Sequence, residues 1–209
     1  MGYHPIKTQK GYDFFEVSSA FQKAIRRGDE EIALYFATEL EKSNFGEYVW
    51  KRMRIITSED VGLAEPMMPA NIMALYDMYR EQKKRKDDKS GSEALFLIHA
   101  VLLLCRARKS RLVDWAIIAL WEEHASRHMD IPDWAFDKHN AKGRSMGRGL
   151  DHFYEEGTRL ENHTPVERED EFRTRAYEAQ KHPKPPVESP LLEGPKQPRL
   201  WSILFGWFI

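Results

Sequence analysis

The sequence predicts an all-α protein, a single multi-helix domain followed by an extended Pro-rich tail, and three observations carry that reading. Apolar residues recur at three- and four-residue spacing along successive stretches. Strong start and stop signals separate those stretches, and no segment shows the alternation and turn chemistry of strands. Short connectors then favour antiparallel packing of successive helices, and no exact repeat calls for a solenoid.

The elements follow in order. Gly11-Tyr12-Asp13 opens a first helix with Phe14, Val17, Phe21, Ala24 and Ile25 at helical spacing, and Gly28 after two basic residues stops it. Asp29 is a good N-cap for a second helix, with Glu30 and Glu31 in its first turn ahead of Ile32, Ala33, Phe36, Ala37 and Leu40, ending near Ser43-Asn44. A third runs from about Gly46 to Ser58, with Val49, Trp50, Met53, Ile56 and Thr57 inward. The segment Glu59 to Pro66 breaks it, because glycine and proline both oppose continuation. A fourth helix contains Ile72, Leu75, Tyr76 and Tyr79 and dissolves into the charged connector from Lys83 to Gly91. Ser92 and Glu93 start the most apolar helix, to Cys105; the basic turn Arg106 to Arg111 leads into another, from Leu112 to about His128. Ile131-Pro132-Asp133 restarts a short helical turn, and Gly143, Gly147 and Gly149 mark an irregular loop. From about Thr164 charged residues dominate and then six prolines appear between Pro183 and Pro198, which predicts a tail. The boundaries read as an extension over 1–11, a helical domain over 12–160, a charged and Pro-rich linker over 161–199 and an apolar peptide over 200–209.

Lys and Arg total 32 against 33 for Asp and Glu, so the average field gives no global attraction to nucleic acid and any DNA contact needs a local patch. The single cysteine, Cys105, lies in an apolar run, which excludes an intramolecular disulfide and favours a reducing compartment. Asp13, Glu16, Asp29 and Glu30 interrupt the first thirty residues, so no secretory signal is expected. The apolar stretch Ala94 to Cys105 falls short of the roughly 20 residues a bilayer crossing needs, and no membrane partner is expected.

Catalytic chemistry finds little support. Glu59 and Asp60 are adjacent acids with no partner base nearby in sequence; a structural ion pair with Arg52 or Arg54, or a cap before Gly62, is the expected use. His124 and His128, four apart, would share one face of a continuous helix, a geometry compatible with a metal-dependent hydrolase, although a surface pair near a helix end is the plainer reading. Basic clusters occur at Lys83 to Lys86, at Arg106, Arg108, Lys109 and Arg111, and at Lys138, Lys142, Arg144 and Arg148; solvated charge is the more common use of such clusters, and only the Arg106 to Arg111 turn and the Gly143 to Gly149 loop are compact enough to form one phosphate-binding patch. The final ten residues, including Leu200, Trp201, Ile203, Leu204 and Phe205, hold an apolar peptide on a Pro-rich tether, which marks either a contact site or a segment that docks on its own domain.

Three stretches resemble the C-terminal region of the RarA/MgsA family of AAA+ ATPases, relatives of the clamp loaders. They are Ala24-Ile25-Arg26-Arg27-Gly28-Asp29 through Ala33-Leu34-Tyr35; Arg52 through Ser58-Glu59-Asp60-Val61-Gly62-Leu63-Ala64-Glu65-Pro66; and Ile131-Pro132 with Asp137, His139, Gly143, Met146-Gly147 and Gly149. The second is the most specific. The resemblance implies a clamp-loader-collar-like helical domain that holds subunits together, as a tetramer or with an AAA+ ATPase, in work at stalled or damaged replication forks. The chain departs from the family in lacking a nucleotide-binding module: the glycine-rich Gly143 to Gly149 has no Lys-Ser/Thr ending and no preceding strand. If the relatives' ATP-driven activity operates here, another chain supplies it. Gln197-x-x-Leu200-x-x-Ile203-Leu204-Phe205 resembles a sliding-clamp-binding peptide but has Ile203-Leu204 where an aromatic pair is typical.

The expected function is therefore a non-enzymatic oligomerisation or adaptor module of DNA replication, recombination or repair, without cofactor. Its expected place is the cytoplasm, at the nucleoid in a bacterial or viral setting. A DNA-binding accessory protein is the alternative.

Overall fold

The computed structural model describes residues 6–85 and 90–183, and they are helical; an isolated antiparallel bridge between Lys7 and Asp13 is the β pairing among them. The apolar C-terminal peptide with Gln197 and most of the Pro-rich segment lie outside the described residues. The chain divides into two compact units, Met1–His128 and Met129–Ile209.

In the first unit, α1 (Phe14–Arg27) starts where the Asp13 carboxylate accepts from the backbone N–H of Phe15 (2.8 Å) and Glu16 (3.2 Å). It stops at Gly28, whose φ of 73° is left-handed, with Gly28 N–H donating to Ile25 O and Asp29 N–H to Ala24 O. Asp29 is at once the N-cap of α2 (Glu30–Leu40), accepting from Ile32 N–H at 3.1 Å. A π-turn over Glu41–Phe45, kinked at Asn44 (φ 65°), leads into α3 (Gly46–Ile56). Beyond α3 the predicted break is itself structured: a π-turn Thr57–Val61, then a 3₁₀ turn Gly62–Ala64. Next come α4 (Met68–Lys84), α5 (Glu93–Arg106) and α6 (Leu112–His124).

The core belongs to α1 through α5. Phe21, Ile25, Leu40, Met53, Ile56, Ile72, Leu97 and Leu104 are buried around Trp50, whose ring lies 5.3 Å from that of Tyr76 and 5.2 Å from that of Tyr79. α1 packs on α2, α4 on α5, and α2 on α5. Burial lifts the Tyr79 phenol to about 12; its hydroxyl donates to Glu41 Oε1 at 2.7 Å, and Lys83 reaches the same oxygen at 3.0 Å. Among the described residues no helix is long and apolar enough to cross a membrane.

The second unit is built of short pieces: a 3₁₀ turn Asp133–Ala135 after Pro132, α7 (Ala141–Ser145), α8 (Leu150–His152) continued by a π-turn to Gly157, and α9 (Glu169–Lys181). Two expectations are corrected here. The glycine loop carries a short helix, because Asn140 caps it by accepting from Gly143 N–H at 2.8 Å. The stretch read as tail from Thr164 contains the 13-residue α9. Its charges, which suggested solvation, sit at helical spacing: Glu171 pairs with Arg168 (3.0 Å) and Arg175 (3.2 Å), with acids in the first turn. It is anchored by Arg173 donating to Tyr154 O at 2.6 Å, by Tyr177 donating to Asp151 at 2.5 Å, and by the edge-on rings of Tyr154 and Tyr177.

Candidate functional site

The most specific sequence motif folds into a polar knot. The π-turn after α3 carries Asp60 away from the face bearing Arg52 and Arg54 and toward α1, where its side chain is fully buried. There it accepts from Arg26 Nε at 2.6 Å and Gln22 Nε2 at 3.0 Å. Arg26 also donates to Glu59 Oε1 at 3.1 Å, and Arg111, entering from the start of α6, lies 3.7 Å from both acids while bonding to Asp114. The hydrogen bond to Asp60, helped by the attraction of the nearby acids and opposed by burial, pushes the Arg26 pKa upward. The expected partners are thus corrected: Arg52 reaches Asp60 only through Gln22, to which it donates, and Arg54 stacks over Tyr76, 4.8 Å from the ring centre.

The backbone completes the knot. Ser110 N–H donates to Asp60 O at 3.0 Å, and Gly62, at φ 53°, lies so close that a Cβ there would stand 2.9 Å from Ser110 O. Of the other motif residues on this unit, Tyr35 hydrogen-bonds with Lys10 (3.1 Å) and Tyr12 (3.2 Å), Ser58 is exposed, and Pro66 lies in the turn between the 3₁₀ segment and α4.

This knot lies at the foot of α6, and α6 is anomalous. Its sequence, LVDWAIIALWEEH, is apolar on every side, yet none of its residues is buried. Trp115 is 57% exposed, Ile117 and Ile118 52% each, Leu120 58% and Trp121 77%. A helix apolar all round is normally enclosed, and contiguous exposed apolar surface marks a docking site. α6 meets its unit chiefly through the π-turn Thr57–Val61 and the 3₁₀ turn Gly62–Ala64, and Arg111 stacks 4.4 Å over Trp115. An apolar groove of about 370 Å³ is lined by Leu120, Trp121 and His124. Sequence reasoning placed this helix but missed its exposure; the absence of a polar stripe on it was the available signal.

The helix ends at His124, since Glu123 O accepts from the backbone of both Ser126 and Arg127. His128 therefore lies outside it, and the two histidines do not share a helical face. Cys105 is buried, which raises its thiol to about 11.

The basic residues singled out for DNA are engaged within the protein. Arg106 forks onto Glu30 at 2.7 and 3.1 Å, and Arg108 bonds to Glu65 at 3.1 Å. Lys109 donates to the carbonyls of Leu104, Cys105 and Ala107, closing the end of α5. In the second unit, Lys142 stacks over Phe136 at 4.0 Å, Arg144 donates to Lys138 O, and Arg148 holds Asp133 and the Phe136 carbonyl. The remaining motif residues build that loop. Asp137 pairs with the His139 ring and accepts from its backbone, and Gly143 is required because a Cβ would stand 2.0 Å from Asp137 O. Gly147 is left-handed at φ 74°, while Gly149 precedes α8 in open space.

Comparison with known proteins places residues 28–184 on the family model described as MgsA AAA+ ATPase C terminal. The replication-associated recombination protein A of Bacillus subtilis is 31% identical over 142 residues, which is 67% of this chain and 32% of that protein. Proteins of the same name from Haemophilus influenzae and Escherichia coli are 28% identical over 152 residues and 25% over 146, covering 70% and 69% of this chain and 32% of each relative. The chain thus spans about a third of the length of the curated relatives it matches.

Proposed function

The chain belongs to the MgsA AAA+ ATPase C-terminal family, and we propose that it is an assembly module of DNA replication and recombination whose α6 pairs with α6 of a second copy. The observation that carries this reading is α6 itself, a 13-residue helix about 20 Å long with no buried residue and an apolar surface. A second copy suits it because the seam is apolar: between Leu112 and Trp121 the one charge is Asp114, already held by Arg111. Such a surface pairs across a two-fold axis without needing a charge-matched partner. The names of the relatives support the setting, and an AAA+ ATPase brought together by such modules is the accompanying partner. The engaged basic residues make direct phosphate binding the weaker reading.

Light scattering of the full chain across a concentration series tests it. The wild-type mass should be a multiple of one chain, and Ile118→Asp with Trp121→Asp should weaken association about 100-fold, or ~2.7 kcal/mol, without altering the circular dichroism spectrum. A wild-type mass of one chain at high concentration refutes self-pairing.

A further inference from the structure

We infer that Glu59, Asp60, Arg26 and Arg111 form a positioning clamp that aims α6 for assembly, so that the Ser-Glu-Asp-Val-Gly motif acts on the docking surface and not only on the core. The inference rests on the reading of α6 given above.

The argument begins from what α6 lacks. An amphipathic helix is held in place by burying its apolar stripe, which is also how α5 is held. A helix that keeps its apolar surface free cannot use that surface for attachment and needs another means of fixing its direction. α6 has its anchors at one end. Ser110, two residues before it, donates its N–H to the Asp60 carbonyl. Arg111 sits between Glu59 and Asp60 on one side and Asp114 on the other, with its guanidinium over Trp115, so that one side chain ties the motif to the first turn of the helix.

The chemistry of the clamp is suited to direction more than to bulk adhesion. Guanidinium groups are flat and fork-shaped, and their bonds to carboxylates fix angles as well as distance. Arg26 brings α1 to the same acids, so the knot joins α6 to the completed core. The Arg111 Nε is buried and makes no hydrogen bond; it lies 3.7 Å from Asp60 Oδ1, whose field compensates it. Gly62 permits the close approach, since a Cβ would press against Ser110 O. Asp60 is fully buried and its partners are drawn from α1 and the lead to α6, which accounts for the adjacent acids in structural terms.

The test uses the full chain with Arg111→Ala, Arg111→Lys and, as a control on an exposed pair in the same connection, Arg106→Ala. Two readouts are needed: amide hydrogen exchange resolved for α6 and for α5, and the self-association constant. Arg111→Ala should speed α6 exchange and weaken association, each roughly tenfold, while α5 keeps its wild-type exchange. Arg111→Lys, which keeps the charge and loses the fork, should recover part of both effects, and Arg106→Ala should change neither. Unchanged α6 exchange in Arg111→Ala, or equal acceleration in α5 and α6, overturns the clamp. A monomeric wild type refutes self-pairing instead, and the exchange comparison then decides the clamp alone.

Discussion

α5 and α6 are neighbours in sequence, 14 and 13 residues long, and both overwhelmingly apolar, yet α5 buries Leu97, Ala100, Val101, Leu104 and Cys105 while α6 buries nothing. The core is already closed by α1 through α5 when the chain reaches α6. Hydropathy therefore says that a helix must be covered, but the order of packing decides whether the chain covers it or a partner does. The larger share of α6's apolar surface is what the first unit offers outward.

Truncation to alanine on each of the two helices is the sharpest way to break this contrast. Leu104→Ala on α5 should cost about 3 kcal/mol of folding stability, read from the urea midpoint, because it opens a cavity in the core. Trp121→Ala on α6 removes a larger side chain but should change that midpoint by less than about 0.5 kcal/mol while lowering the light-scattering mass. If Trp121→Ala unfolds the monomer, α6 is part of the core and the contrast is false.

A smaller effect separates the helices by pH. Burial raises the Cys105 thiol on α5 from about 9 to about 11, so the folded chain keeps a proton that the unfolded chain releases. Stability is fully present below pH 9 and is lost as pH rises toward 11, with Tyr79 extending the loss from about 10 to about 12. Denaturant midpoints measured between those limits should fall, and Cys105→Ala should flatten the first part of the decline. The smallest change is expected for Arg108→Ala in the connection between the two helices. Its pair with Glu65 is exposed and screened by water, so the thermal midpoint should stay close to that of the wild type.

What could be read from sequence was what neighbours in the chain decide. Gly28 and Asp29 mark the end of one helix and the start of the next because a left-handed stop and a side-chain cap act over three or four residues. The glycine and proline between Val61 and Pro66 likewise announced a break. The partners of Asp60 were missed because Arg26 lies 34 residues away and only the π-turn brings it into reach. α9 was missed for the opposite reason: its composition resembled a solvated linker, and the spacing of Glu171 with Arg175, together with the anchors on Asp151 and Tyr154, outweighed composition.

In the self-paired assembly proposed above, an uncovered row of tryptophan, isoleucine and leucine would also have a thermal consequence. Attraction between such rows draws on the release of ordered water, which fades toward freezing and grows on warming. Dilute samples on ice should come apart and reassemble at room temperature, the reverse of a complex stitched by hydrogen bonds, and sulfate salts should shift that balance toward the assembled form.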